Sequence, residues 1–303
     1  MQAGVMASRS INTFVFLDLE TTGLPSEEHN KTKITELALV AASRENINAT
    51  PCGIPRVTHK LTLCCNPFRM INPTATNVTG LSNEMLEKEK TFDADVCDMI
   101  NVFLSRQIPP VCLVAHNGIK FDFPILQSAI MNADKILPDD TLCVDSLPAF
   151  KELFSQIPLD MLPTYTQKLK MKSVLKGKNN DIQKDTCNEN GSTLAEDRSF
   201  MQQINERTPE QNKQINAPLP EVLNTIKAKR QLFSDDANES LAQLNSFKLK
   251  DIYKFLFGRN AINCHRAEND ALTLLACISI LGEYFMKWCD THAVPFNNVK
   301  KLR

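Results

Sequence analysis

The spacing of apolar positions changes several times along the chain, and each change predicts an element. Phe14–Leu19 is a nearly unbroken apolar run interrupted only by Asp18; it reads as a buried strand that stops at Gly23, with Pro25 blocking further pairing. Residues 34–42 and 57–65 alternate or run apolar, which predicts two more strands separated by charged and Asn-rich loops. Three strands in succession with short connections favour an antiparallel meander. Residues 72–81 carry no apolar period and read as a loop. Ser82 is placed to cap a short helix over 83–88, and 92–104 has helical apolar spacing. Val111–Ala115 is wholly apolar, as a strand buried on both faces would be. It opens through His116-Asn117-Gly118 into Phe121-Asp122-Phe123-Pro124 and a helix to about Met131. Pro124 is tolerated in a first helical turn, which places Asp122 near the N-cap. Residues 142–144 form a last strand, and Asp145-Ser146 starts the next helix.

From about 166 to 245 the pattern dissolves into Asn, Gln, Lys, Glu and Asp, with Phe200 and Phe233 as the aromatics. Such a segment buries too little apolar surface to offset its ordering entropy. It predicts a low-complexity, mostly disordered insertion, with one exposed helix over 219–232 and a lysine run at 168, 170, 172, 176 and 178. That run reads as a solvated tract ahead of a DNA-contacting or nuclear-import element. Periodicity resumes at 247–257, helical with Gly258 as a stop, and continues in the apolar helix 271–281 and a final amphipathic helix carrying Trp288. The expected fold class is α/β, a central five-stranded mixed sheet (three antiparallel strands, then parallel ones) flanked by helices. The domain plan is a disordered N-terminus at 1–11, a first part at 12–165, the insertion at 166–245, a second part at 246–297 and a tail at 298–303.

Composition narrows the class without naming a partner. With 303 residues and 43% hydrophobic content the chain holds one large domain or two small ones. A net charge of −1 gives no global attraction to nucleic acid, so any such contact needs a local patch. None of the ten cysteines forms a Cys-x-x-Cys pair, and several sit in apolar runs, the usage of reduced buried thiols. The N-terminus lacks a basic-then-apolar leader, and 271–281 is too short to span a bilayer. The expectation is a nuclear or cytoplasmic protein, not secreted and without a membrane anchor.

Chemistry enters with the acids. Residues two apart in a strand share a face, so Asp18 and Glu20 point the same way and repel each other. Alone, Asp-x-Glu is more often a solvated strand end. Here Asp122 stands beyond a central strand, Asp270 lies in the first turn of a helix, and His265 precedes it by five residues. Four carboxylates on hard oxygen donors suit Mg²⁺, or Mn²⁺ in its place, rather than zinc. Two such ions about 3.5–4 Å apart clamp the attacking and leaving oxygens of a phosphoryl displacement. A histidine of ordinary pKa, about 6.5, takes a proton from water at neutral pH.

These residues resemble a known family. Asp18-x-Glu20, the block around Asp122 and His265-x₄-Asp270 match the three exonuclease motifs of DnaQ-like, DEDDh-type 3′–5′ exonucleases. The chain is more similar still to the three-prime repair exonuclease (TREX) family in Phe14–Pro25, Val78–Ser82, Cys112–Gln127, Cys143–Ser146 and Trp288–Phe296. The resemblance covers roughly 12–155 and 246–297. It implies an RNase H-like exonuclease fold, with Asp18, Glu20, Asp122 and Asp270 as ligands of two Mg²⁺ ions and His265 as general base. It also implies that Leu24 and Val78 wedge against the 3′-terminal nucleotide, that backbone near Glu20 and Thr21 grips its 3′-hydroxyl, and that Lys120 stands near the scissile phosphate. Arg56, Lys60 and Arg106 fall where the family has basic residues around the dimer interface and DNA. The strand at 57–65 would be the edge through which two protomers join. The implied activity is removal of mononucleotides from 3′ ends of single-stranded or frayed DNA, in DNA repair or clearance of DNA fragments. An exoribonuclease of the same fold and a non-catalytic nucleic-acid-binding protein are the alternatives. The insertion at 166–245 is longer than the family's usual link, and one branch's proline-rich loop and long C-terminal anchoring tail have no counterpart here.

Overall fold

The computed structural model describes residues 10–50, 53–157, 244 and 246–302. Apart from residue 244, the expected insertion, with its helix at 219–232 and its lysine run, lies outside the described residues, as does most of the stretch assigned to the N-terminus.

Among the described residues six strands form one sheet, in the order β3-β2-β1-β4-β5-β6. They are β1 (Thr13–Thr21), β2 (Ile34–Ser43), β3 (His59–Cys64), β4 (Val111–Ala115), β5 (Leu142–Asp145) and β6 (Val294–Pro295). β1 pairs antiparallel with β2 and parallel with β4, β3 is antiparallel to β2, and β5 is parallel to β4. The expected meander and parallel pair are therefore present. The sheet gains a sixth strand because Val294 and Pro295 pair antiparallel with Cys143 and Leu142; two residues are too short to show a period.

Other differences are local. Between β2 and β3 the chain makes a short helix α1 (Arg44–Asn48), capped by the Ser43 hydroxyl accepting from Asn46 N–H. The stretch 72–81 is not a loop. It contains helix α2 (Pro73–Thr79), which starts with Asn72 accepting from Thr74 N–H and Pro73 in the first turn, and ends on Gly80 in the left-handed region. Caps and an N-terminal proline define this helix, and it buries no residue, so no apolar period marks it. The expected helices follow: α3 (Asn83–Leu86), α4 (Ala94–Ser105), α5 (Asp122–Asn132), α6 (Ser146–Gln156), α7 (Leu249–Phe257), α8 (Ala267–Leu281) and α9 (Glu283–His292).

The sheet sorts its side chains by parity. Phe14 and Phe16 of β1 face a core built with α6 to α9, whereas Val15, Leu17 and Leu19 face one built with α4 and α5. Asp18 and Glu20 continue the row of Phe14 and Phe16, so period two alone aims both acids at the α8 side. Among the described residues no single helix is long and apolar enough to cross a membrane. α8 and α9 pass such a test only as a pair bent by 105°, and α8 is buried against the sheet along most of its length.

Candidate active site

Five segments meet at the carboxyl end of β1 and together deliver six polar groups. β1 supplies Asp18 and Glu20. Its partner β2 places Glu36 directly across from Glu20, where the register then slips by a residue at Thr21. Asp122 comes from the first residue of α5, and only 3% of its surface is exposed.

The turn that delivers Asp122 is tightly specified. Asn117 adopts φ 62°, and a Cβ on Gly118 would lie 2.7 Å from the Ala115 Cβ and 2.8 Å from the Phe123 ring, so no larger residue fits. Asp145, at the end of β5, cradles this turn: its carboxylate accepts the N–H groups of Asn117 at 2.9 Å and Ile119 at 3.2 Å while capping α6 through Leu147 N–H. His116 spans to the returning chain, with Nδ1 2.8 Å from Ser146 Oγ and Nε2 2.8 Å from the Phe247 carbonyl. Burial holds its pKa below the usual histidine value.

Asp270 and His265 arrive on a different kind of support. Asn263 and His265 both sit at positive φ, 50° and 66°. Asp270, in the first turn of α8, accepts the His265 backbone N–H at 2.7 Å, which folds the loop back on the helix. The His265 ring itself is exposed. Glu36 fastens this segment to the sheet by accepting Ala267 N–H at 3.0 Å, and Lys60 on β3 pairs with Glu268 at 2.8 Å.

The electrostatics show what the acids need. Burial, then the charges of Asp122, Asp270, Glu20 and Glu36, push Asp18 well above the carboxylate range. Burial with Asp270, Glu36 and Asp122 raises Glu20 to about 8. Asp122 also rises to about 8, through burial, although its own N–H and that of Leu19 pull it down. Asp270 is raised by burial as well. Four carboxyls that resist ionisation together, on oxygen donors of a hard type, fit a divalent cation. Glu20, His265 and Asp270 each place a donor atom within 4.8 Å of the others. Asp18 and Asp122 adjoin that group through charge, so all five residues expected from the sequence converge.

The remaining expected residues scatter around this centre. Thr21 is buried, its hydroxyl donating to the Gly23 carbonyl. Leu24 is 52% exposed beyond the β1 exit, and Val78 on α2 is 46% exposed. Lys120 is exposed in the turn before α5, with its N–H on the Asn117 carbonyl. Arg56 precedes β3 and Arg106 follows α4, both exposed and neither part of the acidic cluster. A cavity of about 640 Å³ opens on Asp18, His265 and Asp270 and is walled by Lys151, Lys248 and Lys250. Sequence reading missed these lysines and Glu36. The one usable signal for Glu36 was an acid inside the apolar run of β2.

Residues 15–176 match the exonuclease (RNase_T) family. Bovine three-prime repair exonuclease 1 is 31% identical over 96% of this chain and 70% of its own length. The chain belongs to the three-prime repair exonuclease family. Human three prime repair exonuclease 2 is 45% identical over 146 residues, which cover 46% of this chain and 62% of that one. The zinc-bound E. coli exonuclease I–single-stranded DNA complex superimposes with a TM-score of 0.54 at 15% identity, covering 93% of this chain and 43% of that chain. Its likeness concerns the fold. The chain thus spans under two thirds of the human relative and under half of exonuclease I.

Proposed function

We propose that this chain is a metal-dependent 3′–5′ deoxyribonuclease that removes 5′-mononucleotides from single-stranded or frayed DNA ends. The observation that carries this reading is the convergence of Asp18, Glu20, Asp122 and Asp270 with His265, beside a cavity that opens on Asp18, His265 and Asp270. The names of the relatives supply the polarity, and the single-stranded DNA of the exonuclease I complex supplies the ligand class.

In this reading Asp18, Glu20, Asp122 and Asp270 hold two divalent ions, Mg²⁺ with Mn²⁺ as a substitute. When bound, the ions supply charge stabilisation at the scissile phosphate and ease deprotonation of water. His265, exposed at the cavity rim, accepts the proton of the attacking water. Leu24 and Val78 flank the terminal nucleotide, the backbone at Glu20 and Thr21 holds the 3′-hydroxyl, and Lys120 approaches the phosphate. The outer edge of β3 pairs with no strand among the described residues, which suits a homodimer joined there, with Arg56, Lys60 and Arg106 around it. The relatives' names support a role in DNA repair or clearance of DNA fragments, and nucleus or cytoplasm is the setting proposed for it.

Matched 5′-labelled DNA and RNA strands, incubated with Mg²⁺, test the substrate. Progressive shortening of DNA well ahead of RNA is expected; shortening of RNA alone would overturn the deoxyribonuclease assignment. His265→Ala should lower turnover steeply with folding intact, and near-normal turnover in that variant would remove His265 from the role of base.

A further inference from the structure

The loop between β3 and α2, residues 65–72, holds two large apolar side chains in solvent. Phe68 is 78% exposed and Met70 79% exposed. Phe68 does so at φ 48°, a left-handed conformation that bulky residues rarely adopt. The loop is pinned from several sides. Asn66 accepts Phe68 N–H at 2.9 Å and donates to the Glu87 carbonyl at 3.2 Å. Asn83 accepts Ile71 N–H and donates to the Arg69 carbonyl, at 2.9 and 2.7 Å. Arg69 reaches Glu28 at 3.2 Å, and the loop's end, Asn72, donates its N–H to the Thr22 carbonyl at 2.8 Å, just beyond the acids of β1.

A strained, rigidly held aromatic facing water lowers stability unless something docks on it. Further exposed apolar side chains stand on the elements between this loop and the candidate site: Leu24 follows the β1 exit, Val78 lies on the helix that the loop leads into, and Met85 sits on α3 just after it. Behind the loop lies a cavity of about 720 Å³, lined by Pro67 and Arg69 and by the exposed Lys31 and Lys33 of the β1–β2 connection. Asp93 and Asp134 also line it, the first already accepting N–H bonds from Asp95 and Val96 as the cap of α4. An apolar, aromatic surface beside cations is what an unpaired nucleic-acid strand needs, with bases on the ring and phosphates on the lysines.

We propose that Phe68, backed by Met70 and Met85, is a stacking platform for the unpaired bases upstream of the 3′ end. The proposal rests on the exonuclease reading for the identity of the strand, and its test separates the two. Metal-free protein would be titrated with a fluorescent long oligothymidine and with a trinucleotide, comparing wild type, Phe68→Gly and Phe68→Trp. Glycine accepts φ 48° without strain, so Phe68→Gly should fold as well as wild type or better. It should bind the long strand roughly tenfold more weakly, as loss of one stacked base implies, and the trinucleotide unchanged. Phe68→Trp should keep the wild-type affinity.

Equal affinity of Phe68→Gly and wild type for the long strand would overturn the platform. So would an equal loss for both lengths, which would indicate a distorted site. A dimer that dissociates in Phe68→Gly with oligonucleotide binding intact would assign the patch to a second copy of the chain, and would likewise overturn it. Wild-type protein that binds the long strand through Phe68 yet leaves it intact with Mg²⁺ would contradict the exonuclease reading and support the platform.

Discussion

The two halves of the acidic site are built on opposite principles. Asp18, Glu20 and Asp122 stand on the central strand and on a turn with no spare volume, fixed by the sheet and by the Asp145 cradle. His265 stands on a loop with two residues at positive φ and Asp270 in the first turn of α8, and this end is fastened to the sheet by Glu36 and by the Lys60–Glu268 pair. The first half is organised by burial throughout; in the second, buried α8 carries Asp270 and a few polar contacts fix the His265 loop beside it. Burial can impose charge repulsion because a large apolar core offsets it. The exposed His265 loop has no such core behind it, and that contrast suits an arrangement in which a cation draws the halves together.

The largest effect that could break this contrast is loss of one carboxylate from either half. Asp18→Ala and Asp270→Ala should each remove several kcal/mol of transition-state stabilisation, on the order of a thousandfold in turnover. Near-normal turnover in steady-state assays of either variant would dissolve the shared site. The next effect belongs to the rigid half. A methyl group at Gly118→Ala must displace Ala115 or the Phe123 ring, and overpacking of this kind costs about 1–3 kcal/mol. Denaturant unfolding should show that loss with turnover falling in parallel; an unchanged midpoint would mean the turn is looser than its contacts indicate.

The polar half should answer differently. Glu36→Ala leaves Ala267 N–H without its acceptor at the start of α8, a loss of about 1 kcal/mol as for a helix cap. The Mg²⁺ concentration for half-maximal activity should rise several-fold, and Glu36→Gln, which keeps an acceptor, should restore most of it. Equal behaviour of the two variants would exclude the hydrogen bond as the cause. Lys60→Ala should matter least. Its pair with Glu268 is exposed on both sides, and such pairs contribute about 0–1 kcal/mol, so a melting shift beyond a degree or two would assign Lys60 a larger role.

Most of the rigid half was legible in the sequence. Period two fixed the shared face of Asp18 and Glu20, and the apolar run at 111–115 followed by Pro124 placed Asp122 at a helix start. Glu36 was not, because its partnership with Glu20 exists only through the antiparallel register and that with Ala267 only through the packing of α8. Lys151, Lys248 and Lys250 share a cavity for the same tertiary reason. Helix α2 escaped because its caps, not an apolar stripe, define it, although Asn72-Pro73 and Gly80 were visible end signals. The two residues of β6 take their conformation from β5.

Protonation sharpens the comparison further. Glu20 and Asp122, ordinarily near 4 when unfolded, are raised to about 8 in the fold. The folded state therefore holds protons that the unfolded state has released. Their contribution to stability is complete below about pH 4 and is lost as pH rises through about 8. Metal-free protein should melt lower as pH climbs through that window, and Mg²⁺ should stabilise more at pH 8 than at pH 6, since binding must displace those protons. A metal-induced melting shift independent of pH would argue that these acids are not the ligands.

The most direct test of a site assembled from two halves is shortening of a 5′-labelled single-stranded DNA with Mg²⁺ or with EDTA. Wild type would run beside Asp18→Ala from the rigid half and Asp270→Ala from the polar half. The account predicts a Mg²⁺-dependent ladder receding from the 3′ end in wild type and intact DNA in both variants. A ladder that persisted in EDTA, or in either variant, would contradict it.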